Sequence, residues 1–337
     1  MKTTKLFATL AFSACASFAQ ADFSEIYVFG DSLSDIGNLK AVTQDPAIPE
    51  RFTNGPVAVE VLAAGLGHSL TASYHLLPPA LTGGVYGNNY AIAGAKAIDE
   101  DGNEATPDIN LPTQVNAFLQ IHGGMAPEDA LYVVLIGGND IRGARDVRAS
   151  AAHADSPVER EAIRKAANDL IAQAVDAEQA QIEKLIGAGA RHVMVLNAPD
   201  IGAIPESDLI ALQAGQTAET RAQARKAERL PAIATKLSAK YNRQLARKLA
   251  RTEHRTGVDI IEFDLFGFLT SQIDDAEDFG YTNTDDACIY VFSQGGTVNP
   301  ECSDFPVATG FLFWDEIHPT AAAHQRAGQA VLSTLAQ

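Results

Sequence analysis

An α/β sandwich built on a parallel sheet is the fold class this sequence predicts. Three observations carry it, the first two being short runs rich in Val, Ile, Leu and aromatic residues, each closed by turn residues, and long stretches with apolar residues at helical spacing. The third is their order. From Ser24 onward the two patterns alternate, which is the order of strand–helix units whose sheet is covered on both sides.

The first 21 residues precede this pattern. Lys2 and Lys5 make a basic start, Leu6 to Phe18 a short apolar run, and Ala19-Gln20-Ala21 a small-x-small site before Asp22. They read as a secretory signal (1–21) cleaved after Ala21, leaving 22–337 as a single domain. A lipoprotein anchored through Cys15 is the alternative, but Phe12 stands where an aliphatic residue belongs. The run is shorter than the roughly 20 residues that cross a bilayer, and no other segment is apolar enough, so no transmembrane anchor is expected. The protein is expected to be secreted, extracellular or retained in the periplasm.

Five runs follow as strands: 25–29 (EIYVF), 88–92 (NNYAI), 131–136 (LYVVLI), 191–196 (RHVMVL) and 258–263 (VDIIEF). The spacing predicts a helix over 158–187, through Ile163, Ala167, Leu170, Ile171 and Val175 to a Gly187-Ala188-Gly189 stop. A second spans 219–254, broken near Pro231, and a last spans 320–336 with Pro319 suited to its first turn. Residues 95–112, 143–157, 200–218 and 265–311 read as long insertions. In a parallel sheet the carboxyl ends of the strands share one edge, where ligands bind. Gly30-Asp31-Ser32, Gly94, Gly138-Asn139-Asp140 and Pro199-Asp200 should therefore lie near one another.

Charge narrows the function classes. With 25 Lys and Arg against 42 Asp and Glu, the net charge of −17 repels nucleic acid and anionic membranes, so no nucleic-acid partner is expected. Outside the signal two cysteines remain, Cys288 and Cys302. In an exported chain such an even pair is most simply a disulfide, the alternative being two buried free thiols.

Ser32, on a tight turn after the first strand, would present its hydroxyl at the sheet edge with its own N–H nearby, as an activated nucleophile requires. The plain alternative is a helix cap. Among eight histidines, His318 stands out because Asp315 precedes it by three residues in Trp314-Asp315-Glu316-Ile317-His318-Pro319. If His318 caps the last helix, that carboxylate can orient its Nδ1–H and leave Nε2 as a base. A capping Asp and a surface histidine are the alternative. His318 with His324 lacks a third ligand for a metal. Gly94 and Asn139 follow predicted strands and can supply a backbone and a side-chain N–H to an oxyanion, or serve only packing and a turn. Asp31 and Asp35 are expected to bond the turn, Asp140 and Asp200 to anchor loops.

These segments together resemble the GDSL, or SGNH, hydrolase family. Its blocks have counterparts in Phe29-Gly30-Asp31-Ser32-Leu33-Ser34-Asp35-Ile36-Gly37-Asn38, Asn89-Tyr90-Ala91-Ile92-Ala93-Gly94-Ala95, Gly137-Gly138-Asn139-Asp140 and Asp315-Glu316-Ile317-His318-Pro319. Arg51-Phe52-Thr53-Asn54-Gly55-Pro56, Asn197-Ala198-Pro199-Asp200-Ile201-Gly202 and Phe279-Gly280-Tyr281 look like its other features. Ala93 departs from the glycine common there. The resemblance implies a flavodoxin-like three-layer α/β/α sandwich with a five-stranded parallel sheet. It implies a secreted esterase, lipase or phospholipase with Ser32 as nucleophile, His318 as base, Asp315 as its partner, and an oxyanion hole of Ser32, Gly94 and Asn139. No metal or organic cofactor is expected, and the enzyme is expected to act as a monomer on a small-molecule or lipid ester. An acyltransferase using the same triad is the second reading, a non-catalytic binding protein the third. The aromatic residues of 265–311 (Phe266, Phe268, Phe279, Tyr281, Tyr290, Phe292) suit either an acyl pocket or a satellite core. Short to medium acyl chains are the expected preference.

Overall fold

The structure, a computed structural model, describes residues 23–99, 108–151, 154 and 156–335. The signal proposed for 1–21 lies outside the described residues. Four strands, β1 (Ile26–Gly30), β2 (Leu131–Leu135), β3 (His192–Leu196) and β4 (Ile260–Phe263), pair in the order β1-β2-β3-β4, each neighbour parallel. The helices that frame them are α1 (Ala58–Gly65), α2 (Leu111–Ile121), α3 (Gly138–Ser150), α4 (Pro157–Ala188), α5 (Pro205–Gln216), α6 (Arg221–Ala227), α7 (Leu230–Thr256), α8 (Leu265–Asp274) and α9 (Ala321–Thr334).

Successive side chains of a strand point to opposite faces, and here both faces are covered. Ile26, Val28, Leu131, Val133, Leu135, Met194 and Leu196 enter a core with Leu62 of α1 and Val331 of α9. Tyr27, Phe29, Tyr132, Val134, Val193, Val195 and Ile260 enter a second core with Phe118 of α2, Ile141 of α3, Ile171 of α4 and Leu245 of α7. Each fully buried aliphatic side chain contributes about 1.5–3 kcal/mol. Burial on both faces is why β1, β2 and most of β3 read as apolar runs, whereas β4, at the edge of the sheet, leaves Glu262 exposed.

The strand predicted at 88–92, and with it the five-stranded sheet, is corrected. Residues 88–92 do run along the free edge of β1: Val28 N–H donates to Asn88 O (3.0 Å), Tyr90 N–H to Val28 O (2.7 Å) and Ile92 N–H to Gly30 O (3.1 Å). Yet they form only isolated bridges at Asn89, so the sheet has four strands. The ladder stops at Gly30, whose N–H would have to donate to Tyr90 O and donates instead to Gln114 Oε1 (2.9 Å). On the side away from β1, Ala91 N–H donates to Asn89 Oδ1, and Asn38 Nδ2 donates to the carbonyls of Asn89 and Ala91.

The helical stretch 219–254 divides into α6 and α7 at Glu228–Arg229, and Pro231 sits in the first turn of α7, where its missing N–H needs no partner. Pro319 precedes α9 rather than entering it. Thr320 is the cap, its hydroxyl accepting from Ala323 N–H (3.4 Å), and His318 stands two residues before that cap. Helices occupy much of the predicted insertions: α3 extends to Ser150, α5 lies within 200–218, and α8 opens 265–311. Cys288 and Cys302 are disulfide-bonded with Cα atoms 5.2 Å apart, in a small core with Ala308 and Phe311. Beside them Asn283–Ala287 pairs in parallel with Phe311–Phe313, which leads directly into Trp314-Asp315. No described helix is long and apolar enough to cross a membrane.

Candidate active site

The turn after β1 is held before any chemistry is asked of it. A β-carbon on Gly30 would stand 2.3 Å from Leu135 O, so only glycine keeps β1 and β2 together there. Gln114, fully buried on α2, clasps that glycine: Gly30 N–H donates to its Oε1 (2.9 Å) and its Nε2 donates to Gly30 O (2.8 Å). Asp31 bonds the turn as expected, its Oδ1 accepting from Leu33 N–H and its carbonyl from Ser34 and Asp35 N–H. Asp35 accepts from Gly37, Asn38, Leu39 and Ala93 N–H, tying the turn to the residue before Gly94. Burial pushes the Asp31 carboxyl up to about 6, against the pull of Leu33 N–H, His318 and Arg142.

Ser32 is left half-buried at the crest of this turn. Asp315 Oδ1 accepts from the backbone N–H of Ile317 and of His318, both at 2.8 Å, and so curls the chain back on itself. That brings His318 Nδ1 to 2.8 Å from Asp315 Oδ2 and 2.9 Å from Oδ1, while Nε2 lies 2.8 Å from Ser32 Oγ. A carboxylate only accepts, so Nδ1 carries the proton and Nε2 turns its lone pair to the serine hydroxyl. Asp315 and His318 are both buried. The rings of Phe52 and Phe292 stand 5.3 and 6.4 Å from the imidazole.

Gly94 adopts φ +86°, in the left-handed region that favours glycine. Asn139, in the first turn of α3, donates from Nδ2 to Ala95 O (2.9 Å), the residue after Gly94. Among the described residues, the N–H groups of Ser32 and Gly94 and the second Nδ2–H of Asn139 make no hydrogen bond. Ser32, Asn139 and His318 line one cavity; Gly94 does not line it and reaches Asn139 through Ala95. The cavity continues as an apolar slot walled by Leu135, Leu196, Leu265, Phe268, Leu269 and Phe313.

The aromatic residues of 265–311 divide between the two expectations for them. Phe268 walls the slot and Phe292 faces His318, whereas Tyr281 packs into the core, donating to Gln272 Oε1 (2.7 Å) beneath Arg326. His324 is buried, its Nδ1 accepting from Ala58 N–H (3.2 Å), and burial pushes it down to about 3, so it stays neutral. Asp140 accepts from Ala97 N–H and Asp200 from Gly202 N–H, as loop anchors do. Gln114, Arg142, Glu206 and Glu316 were not legible as site residues. Only Glu316 carried a local signal, its place between Asp315 and His318.

Residues 26–331 match the GDSL-like lipase/acylhydrolase family. The chain belongs to that family. As a GDSL hydrolase it is an enzyme of carboxylic esters, with lipases and esterases for relatives. It is 27% identical over 387 residues to "Lipase 1" of Photorhabdus luminescens, covering 99% of this chain and 54% of that protein. It is 24% identical over 334 residues to "GDSL esterase/lipase At1g74460" of Arabidopsis thaliana, with 89% and 84% covered. To the "Phosphatidylcholine-sterol acyltransferase" of Aeromonas hydrophila it is 25% identical over 365 residues, with 95% and 92% covered. This GDSL hydrolase thus spans about half the length of the Photorhabdus protein and most of the other two.

Proposed function

We propose that this GDSL hydrolase cleaves carboxylic esters through an acyl-enzyme on Ser32, with His318 as base and then acid and Asp315 as the orienting carboxylate. The observation that carries the reading is the unbroken hydrogen-bonded line from Asp315 through His318 to Ser32 Oγ, 2.8 Å at each step. Ser32 Oγ attacks the ester carbonyl as its proton passes to His318 Nε2. The carbonyl oxygen becomes an oxyanion facing Ser32 N–H, Gly94 N–H and Asn139 Nδ2–H, and each such donor contributes about 10²–10³-fold. Collapse expels the alcohol, which takes the proton from Nε2. Water then gives Nε2 a proton, attacks the acyl group and releases the acid with Ser32 restored.

The narrow apolar slot beside Ser32 favours short to medium acyl chains. Export completes the reading: residues 1–21 are a signal, 22–337 act as one secreted, monomeric domain, and the disulfide suits an oxidising compartment. The deciding experiment is hydrolysis of p-nitrophenyl esters across acyl lengths by the protein and by Ser32→Ala. The substitution is expected to lower kcat by roughly 10⁴-fold or more. A folded Ser32→Ala that keeps its activity removes the nucleophile from the reading. Acyl transfer to an alcohol is the second reading, favoured by the similarity to the Aeromonas acyltransferase. Products counted in the presence of a competing alcohol separate the two.

A further inference from the structure

Asn139 is held by more than its place on α3. Its carboxamide has one oxygen and one nitrogen, and catalysis on the proposed pathway requires the nitrogen to face the oxyanion. Arg142, one helical turn on, donates from Nη1 to Asn139 Oδ1 (2.9 Å), while Asn139 Nδ2 donates to Ala95 O (2.9 Å). A guanidinium has donors and no acceptor. Turning the amide over would set its N–H against the guanidinium and its oxygen against the Ala95 carbonyl. Arg142 is itself fixed, because Glu206 takes its Nε (2.8 Å) and Nη2 (2.5 Å) in a two-point grip. Glu206 also receives Arg145 Nη1 (2.8 Å), and its backbone N–H donates to Glu316 O (2.8 Å). Glu316 lies two residues before His318 and is buried, its carboxylate accepting from the N–H groups of Val291, Phe292 and Ser293.

From this we infer that Arg142, locked by Glu206, is a positioning residue that keeps the Asn139 N–H turned toward the oxyanion and registers it against the loop carrying Asp315 and His318. The inference rests on the oxyanion role proposed for Asn139. It assigns a function to an arginine that contributes no proton and takes no part in bond making.

A double-mutant cycle on the full secreted chain tests it, with kcat and KM for p-nitrophenyl butyrate measured on the wild type, Arg142→Met, Asn139→Ala and the double variant. Arg142→Met is expected to lower kcat by about tenfold or more with KM little changed, since small misplacements of a reacting group cost up to about 10². In the Asn139→Ala background the same substitution should change kcat by no more than about twofold, because the group it positions is gone. An equal loss in both backgrounds overturns the inference, as the guanidinium then acts through its own charge or through the scaffold. No loss from Arg142→Met overturns it too. If Asn139→Ala alone keeps wild-type kcat, the oxyanion role of Asn139 falls, and the positioning role with it. Should the methionine variant fail to fold, Arg142→Lys takes its place in the cycle. Lysine keeps the positive charge beside Asp31 but cannot grip Glu206 at two points and reach Asn139 together.

Discussion

Glu178 on α4 has no solvent exposure; its Oε2 accepts from the Tyr241 hydroxyl at 2.5 Å, and its Oε1 meets no partner. Burial pushes its carboxyl up to about 8, against the pull of the Tyr241 hydroxyl and with the added charge of Asp140. In the unfolded chain it titrates near its ordinary 4.5. Between those values the folded state holds a proton that the unfolded state has released, so stability falls as pH rises, by about 1.4 kcal/mol per pH unit, and levels off above about 8. Asp31 and Asp140, raised by burial to about 6 and about 7, act in the same sense over lower windows. Glu178→Gln keeps an acceptor for Tyr241 and removes the largest of the three contributions. Urea midpoints at pH 5, 6.5 and 8 should diverge in favour of the variant as pH rises, and parallel lines would show that Glu178 ionises freely. Residues of this kind differ in how far they can be read from sequence. Asp315 and His318 are three apart, so their pairing is visible in the chain itself. Arg142 and Glu206 are 64 residues apart and look like ordinary surface charges until the fold joins them.

Elements were legible where one rule governs them along their whole length. Strands β1 and β2 announce themselves because burial on both faces demands apolar residues at nearly every position, and β3 and β4 follow the same rule except at the exposed His192 and Glu262. Residues 88–92 carry enough apolar character to read as a strand, but the Gly30 N–H that would extend their ladder with β1 is taken by Gln114, which run length cannot reveal. The disulfide-closed segment is the element on which stability is most easily tested. Cys288 and Cys302 close a loop with a sequence separation of 14, just before the strand that delivers Asp315. Reduction is expected to lower unfolding stability by about 2–4 kcal/mol. Denaturation with and without reductant measures it, and coincident curves would mean that the bond does not constrain the unfolded chain. Because Glu316 holds 291–293 from the His318 side, reduction should also slow hydrolysis less than it destabilises the fold.

At the scale of the molecule, a chain with 42 acidic and 25 basic residues should stay soluble and keep clear of anionic surfaces. The proposed export is checked by mass spectrometry of the mature protein, which should begin at Asp22; a chain beginning at Met1, or one lipidated at Cys15, overturns the signal reading. Periodicity and turn residues along the chain gave the α/β class and placed four strands to within two residues. Local spacing offered Ser32 and the Asp315–His318 pair as candidates, and the resemblance to the GDSL family chose them over plain helix caps. The fold alone shows that 88–92 is a bridged edge rather than a strand, that Gln114 clasps Gly30, that Glu206 grips Arg142, and which apolar residues wall the slot. Those contacts join segments far apart in the chain, and their partners follow from how the layers pack rather than from the residues on either side of them.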